Sequence, residues 1–86
     1  MVIFVVTREG FIELESVVST GLYPVWVGAG VLSSEETNSL RSRNVDLTDF
    51  TYEIDPGNKQ DLDYALSTIS EHHPGERVWV ECQPKI

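Results

Sequence analysis

Four short apolar runs divide this chain at nearly regular intervals and constrain its fold more than any other feature. The runs are Val2–Val6, Val25–Val27, Phe50–Ile54 and Val78–Val80. Steps of roughly 22 to 28 residues between them suit a strand, a crossover helix and the next strand. The 86 residues therefore predict a single α/β domain over 1–86, built as β-α-β-α-β-α-β around a mainly parallel four-stranded sheet.

The apolar patterns of the runs predict the strand order. Val2–Val6 and Val25–Val27 are apolar without alternation, which is typical of central strands buried on both faces. Phe50–Ile54 alternates apolar and polar residues, which is typical of an edge strand. Right-handed crossovers then favour the order 3-2-1-4 with helices on both faces, and the order 2-1-3-4 remains an alternative.

Two interpretations fit the segment after the first run. Apolar residues recur there at helical spacing, and Gly21 stands where a helix would end; these residues are Phe11, Leu14, Val18 and Leu22. The same stretch, FIELES, also alternates like a strand and follows a turn-like REG. We favour the helix because it preserves the regular strand spacing. The alternative is an α+β domain with an N-terminal β-hairpin.

Capping residues mark the ends of the other two helices. Ser33 and Glu36 have the spacing of a capping box, and Asn44 can end that helix in the left-handed conformation. The last helix ends at Pro74–Gly75 and begins either at Asp55–Pro56 or later in the DPGN run. Its apolar face consists of Leu62, Ala65, Leu66, Ile69 and His73.

The net charge of −8, from 14 acidic and 6 basic residues, excludes several classes of partner. Nucleic acid needs clustered Lys and Arg, and anionic membranes repel such a chain, so we expect neither as a partner. A basic surface on another protein would be attracted. One cysteine permits no internal disulfide, and no apolar run is long enough for a signal-peptide core or a membrane span. We therefore expect a cytoplasmic protein.

The stretch VWVGAGVLSSEE combines a strand, a glycine loop and a helix start, as many phosphate sites do. Gly28 and Gly30 match G-x-G-x-x-G, but Ser33 replaces the third glycine and no lysine serves a P-loop. Asp55, after the next strand, is a loose match to a ribose-binding acid. Because two glutamates soon follow Ser33, we expect a capped helix rather than a bound anion.

If the domain has a ligand site, the fold predicts it at the carboxyl ends of the strands. In the order 3-2-1-4 the switch point lies between the first and last strands, which brings Thr7 and Arg8 near Glu81. Arg8 would there pair with Glu81 or Glu9, or else clamp an anion. The candidate residues of this crevice are Thr7, Arg8, Gly28, Gly30, Ser33, Asp55 and Glu81.

No catalytic set can be assembled from the other polar residues. His72 and His73 end the last helix, and a strand separates them from Cys82 by about 16 Å, too far for a Cys–His dyad. Four carboxylates near the start of that helix lack the ligand pattern of an EF-hand: Glu53, Asp55, Asp61 and Asp63. We therefore expect no metal and no cofactor, and an enzyme is the weakest functional hypothesis.

Two functional hypotheses remain. The first is a non-catalytic protein-interaction or regulatory module, and the alternative is a domain that binds a small anion or nucleotide-like ligand in the strand-end crevice.

A homodimer is predicted from the coverage of the sheet. One helix, about 10 Å wide, cannot cover a face that spans roughly 14 Å between its outer strand axes. We expect Trp26 and Trp79 to border the gap, and the edge Phe50–Ile54 contains no proline or lysine to protect it. A two-fold homodimer that buries this face or pairs two edges follows.

Overall fold

The computed structural model describes residues 1–81 and confirms the predicted α/β fold. In chain order the elements are β1 (Val2–Val5), α1 (Arg8–Val18), β2 (Val25–Val27), α2 (Ser34–Ser42), β3 (Leu47–Asp49), α3 (Lys59–His72) and β4 (Val78–Val80). The four strands form one parallel sheet in the order β3-β2-β1-β4. The favoured order 3-2-1-4 is confirmed, and both the order 2-1-3-4 and the N-terminal hairpin are wrong.

Helix α1 forms because its capping and its apolar face agree. The side chain of Thr7 accepts a hydrogen bond from the Gly10 N–H, and Phe11 and Val18 are buried against the sheet. Gly21 takes the left-handed conformation, with φ +70°, just after the helix. Leu22 was predicted on the apolar face but lies beyond the helix and is 72% exposed, because the chain has already turned away from the sheet.

Both remaining helices begin at polar caps. The capping box of Ser33 and Glu36 is present as predicted, and Asn44 adopts φ +67° after α2. Helix α3 takes the later of its two predicted starts, with Asn58 as N-cap. The Asp55–Pro56 start is wrong because the Asp55 carboxylate accepts the Gly57 N–H and closes a turn before the helix.

The third strand lies earlier in the chain than predicted. It comprises Leu47–Asp49, whereas Phe50–Ile54 contributes only the Phe50 N–H, which donates to the Val27 carbonyl at 2.9 Å. The chain then leaves the sheet edge, and Phe50 and Ile54 turn over the face that α3 also covers. Their alternation with polar residues reflects packing on that face, not a place in the ladder.

The core consists of two layers, one on each face of the sheet. Helices α1 and α2 cover the first layer, which contains Ile3, Val5, Phe11, Val18, Val25, Val27, Val31, Leu40, Val45 and Leu47. Helix α3 and the segment after β3 cover the second, which contains Val2, Phe4, Val6, Trp26, Phe50, Ile54, Ala65 and Ile69.

The two tryptophans therefore do not border a common gap. Trp26 is buried in the second layer, where Phe50 lies with its ring centroid 5.3 Å away. Trp79 pairs in register with Ile3, so its side chain lies on the opposite face, where it remains 41% exposed. The predicted opening over the second face is covered by Phe50 and Ile54, and the exposed apolar side chain of the sheet lies at the β4 edge instead.

Candidate functional site

The crevice at the carboxyl ends of the strands brings Thr7 and Glu81 together, as the strand order predicted. Oε1 of Glu81 accepts the backbone N–H groups of Val6 at 2.8 Å and Thr7 at 2.9 Å. The Thr7 hydroxyl donates to the other carboxylate oxygen while it caps α1. A carboxylate of the chain itself therefore lies where an anionic ligand would meet the amino end of α1.

Gly10 belongs to this arrangement and was missed from the sequence. A Cβ atom on Gly10 would overlap the carboxyl group of Glu81, so the absence of a side chain lets that carboxylate reach Val6 and Thr7. A glycine within a helix costs about 1 kcal/mol relative to alanine. In the sequence, Gly10 supports only the alternative turn at Arg8–Gly10, and its unfavourable place within the favoured helix is the one local signal of a special role.

Arg8 extends to the next helix rather than to the last strand. Its guanidinium contacts both carboxylate oxygens of Glu36, at 2.8 and 2.6 Å. The expected pairing of Arg8 with Glu81 or Glu9 is wrong, because Glu81 is bound to the turn after β1 and the first turn of α1 directs Arg8 toward α2. Glu36 also accepts the Ser33 N–H at 3.0 Å. Arg8 and then the Ser33 N–H lower the pKa of Glu36 to about 2.

The glycine loop uses its own backbone donors within the fold. The N–H groups of Gly28 and Ala29 donate to the carbonyls of Val5 and Tyr52, and the Val31 N–H donates back to Gly28. Gly30 adopts φ +81°, which glycine tolerates without strain. Three N–H groups of this loop are thus satisfied by protein carbonyls, as expected for a structural turn.

Asp55 does not join Thr7 and Glu81. Its backbone N–H donates to a carboxylate oxygen of Asp61 at 3.2 Å, and its own carboxylate accepts the Gly57 N–H at 2.8 Å. Carboxylates of the chain therefore accept backbone N–H groups after β1, at the start of α2 and before α3, through Glu81, Glu36 and Asp61.

The two histidines pack at the end of α3. The rings of His72 and His73 lie 5.3 and 6.1 Å from the Trp26 ring, centroid to centroid. Nδ1 of His73 is 3.2 Å from Glu76. Cys82, the other member of the excluded Cys–His dyad, lies outside the described residues.

The outer edge of β4 has its backbone groups directed away from the sheet. The Val2 N–H donates to Arg77 O at 2.8 Å and the Glu81 N–H donates to Phe4 O at 3.1 Å. Because bonding residues alternate along a parallel ladder, Val78 and Val80 direct their N–H and C=O groups outward. No strand within residues 1–81 pairs with this side of β4.

The outer edge of β3 is closed by an arginine. The same alternation directs the backbone N–H and C=O groups of Leu47 and Asp49 outward. Nε and Nη2 of Arg41, on α2, donate to Leu47 O at 3.1 and 2.9 Å, and Nη2 also lies 3.2 Å from the Asp49 carboxylate. An additional strand that paired with Leu47 would have to displace this guanidinium.

No helix within the described 81 residues is long and apolar enough to cross a membrane. In the same part of the chain, no three His, Cys, Asp or Glu side chains are grouped so that they could hold a metal ion. No protein-family model, no curated protein and no solved structure matches this chain.

Proposed function

We propose that this domain is a non-catalytic protein-interaction module that binds its partner along the outer edge of β4. The outer edge of β4 supports this proposal. It offers the outward N–H and C=O groups of Val78 and Val80, and beside them Trp79 is 41% exposed. Added strands bind through such main-chain groups, and aromatic side chains commonly anchor interfaces.

The strand-end crevice supports an interaction module better than a ligand-binding domain. An anion at the start of α1 would have to displace Glu81 from Val6 and Thr7, and one at the start of α2 would have to displace Glu36. Both carboxylates also repel anions. The small-ligand alternative stays a prediction, and titration with phosphate tests it directly.

Two kinds of partner are expected: a second copy of this chain, or a protein with a basic surface that complements the net charge of −8. Either partner would add a strand to the sheet at the same edge, so a short extended peptide can stand in for both.

Selection from a library of short displayed peptides tests the proposed edge. We expect extended peptides that shift the amide NMR signals of Val78 and Val80 and that fail to bind a Val80→Pro variant, which lacks one outward N–H. Inorganic phosphate and mononucleotides serve as the comparison ligands. Shifts at Thr7 and Ser33 on adding these anions, with no peptide bound at β4, would contradict the proposal and favour the ligand-binding alternative.

A further inference from the structure

We infer that the partner of the β4 edge is a second copy of β4, paired antiparallel about a two-fold axis at Trp79. This inference rests on the proposed function and specifies its partner. It would join two four-stranded sheets into one of eight strands, within the usual size of open sheets.

The backbone of β4 permits this register. In an antiparallel pair, residues that exchange two N–H···O=C bonds alternate with residues that exchange none. Centring the pair on Trp79 places Val78 opposite the second copy's Val80, and these are the residues whose polar groups point outward. Trp79, which directs its backbone groups to β1, then falls at the non-bonded position.

The charges at the ends of the strand select the same register. The five residues Arg77–Glu81 read Arg-Val-Trp-Val-Glu. With Trp79 at the centre, Arg77 lies opposite Glu81 of the second copy, and the same juxtaposition recurs at the other end by symmetry. The carboxylate of Glu81 keeps its bonds to Val6 and Thr7, so it would meet Arg77 as an opposite charge and not as an unpaired group. Within residues 1–81 the Arg77 guanidinium makes no ion pair. Opposite charges across neighbouring strands stabilise a pairing, whereas like charges destabilise it.

Other two-fold registers that satisfy the backbone lack this complementarity. Centring on Val78 places Arg77 opposite Trp79 and Glu76 opposite Val80. Centring on Val80 places Trp79 opposite Glu81 and leaves Arg77 without a partner among residues 77–81. Only the Trp79 register places opposite charges across both ends of the strand and Val78 opposite Val80 in both halves.

The side chain at the centre also favours self-pairing. In a non-bonded antiparallel pair the Cα atoms approach to about 4.5 Å, so the two indoles would lie against each other on the face that α1 covers. Such a contact would remove from water part of a side chain that is 41% exposed in one copy.

A second copy fits the edge better than a basic partner does. Although the whole chain carries −8, residues 77–81 contain one positive and one negative side chain and are locally neutral. A basic strand would meet Arg77 as a like charge. The acidic surplus of the molecule lies elsewhere, so the edge itself offers self-complementarity rather than attraction to a cation.

Sedimentation equilibrium from about 1 μM to about 1 mM tests self-pairing. We expect a monomer–dimer equilibrium that Val80→Pro weakens roughly 10- to 100-fold, since its N–H bonds once in each half of the interface. Asp49→Pro is the matched control, because it deletes an outward N–H at the β3 edge and should leave dimerisation unchanged. Arg77→Glu should weaken the dimer about 10-fold by opposing two like-charge pairs.

The register has its own measurement in the wild-type chain. In a mixture of isotope-labelled and unlabelled copies, we expect an intermolecular NOE between the two Trp79 α protons, which face each other at a non-bonded pair. A dimer that lacks this NOE, or one that Val80→Pro leaves intact, would overturn the inference.

Self-pairing and the broader interaction-module function give different results in these experiments. A monomer over the whole concentration range whose β4 edge binds selected peptides would overturn self-pairing and leave the proposed function standing. A monomer that binds no peptide at that edge would overturn both.

Discussion

The sheet ends at β3 on one side and at β4 on the other, and only one of these edges is closed within residues 1–81. At β3, Arg41 reaches back from α2 to Leu47 O and Asp49, and the chain then turns over the sheet with Phe50 buried. At β4, Glu81 fixes the strand from its inner side by binding the turn after β1. On the outer side of β4, no strand within residues 1–81 pairs with the outward backbone groups, and Trp79 is 41% exposed.

This difference separates two functions that an edge residue can serve. Arg41 lies six residues before the carbonyl that it covers, so the closure of β3 is local and follows from the α2–β3 connection. Glu81 is 75 residues from Val6, so its contact secures β4 to the sheet without covering its outer edge. A sheet protected at one edge and open at the other favours pairing at a single site over indefinite stacking.

Phe50 and Trp79, the aromatic residues at the two edges of the sheet, should differ most in how much they contribute to the free energy of unfolding. Phe50→Ala should lower the free energy of unfolding by about 3 kcal/mol, because Phe50 is buried between Phe4 and Trp26. Trp79→Ala should cost only about 1 kcal/mol in the monomer, because its side chain is partly exposed. Urea unfolding at a concentration that keeps both variants monomeric provides the comparison, and equal losses would mean that the β4 edge is covered in solution.

The second prediction tests whether the carboxylate of Glu81 secures β4 to the sheet. Gly10→Ala should displace Glu81 and destabilise the fold by about 2 kcal/mol, since the Val6 and Thr7 N–H groups lose a charged acceptor. The same exchange at an ordinary helix position would stabilise it by up to about 1 kcal/mol. Ser16→Ala, exposed on the same helix, is the control. A more stable Gly10→Ala variant would show that the carboxylate of Glu81 does not secure β4.

Opening the β3 edge should have a smaller effect on stability. Arg41→Ala removes two hydrogen bonds to Leu47 O and a partly exposed ion pair, and should cost about 1 kcal/mol. Arg43→Ala, which loses one long bond to Ser39 O, should cost less. We also expect Arg41→Ala to associate beyond a dimer in sedimentation experiments, because both edges are then accessible. Association unchanged from wild type would show that Arg41 does not protect β3.

The exposed ion pair between Arg8 and Glu36, which belongs to neither edge, should contribute least to the stability of the fold. The pKa of Glu36, at about 2, lies below the usual value of 4.5, so the stability that Glu36 contributes is present above pH 4.5 and disappears as the pH falls toward about 2. Arg8→Ala should raise this pKa toward 4.5 with little effect on stability at pH 7, because the pair is exposed. Carbon-13 titration of the side-chain carboxyl measures it. Lys59→Ala is the control, and an equal shift there would contradict the Arg8 assignment.

Much of the fold was predictable because local signals and strand spacing agreed. The capping residue Ser33 lies directly beside its helix, and the apolar runs of β1 and β2 match burial on both faces. The third strand was misplaced because Phe50 and Ile54 alternate with polar residues for a tertiary reason. They pack over the sheet face rather than in the ladder, and periodicity does not distinguish the two.

The candidate site was predicted less completely. Strand order was enough to bring Thr7 to Glu81, since both follow neighbouring parallel strands. The Arg8–Glu36 pair depends on how α1 and α2 lie against each other, which no sequence spacing specifies. The requirement for Gly10 depends on the carboxylate of Glu81, which lies far along the chain, and local propensity carries no information about it.

The bond between Glu81 and the turn after β1 also has a consequence for the order of folding. Strand β1 is central, yet its partner on one side is made only after residues 6–77 have been synthesised. The pairing of β1 with β2 closes a short loop, whereas the pairing with β4 closes the longest one in the sheet and carries the larger entropic cost. We therefore expect β4 to dock late, after β1, β2 and β3 have assembled, with Glu81 completing the capped start of α1 as the final step.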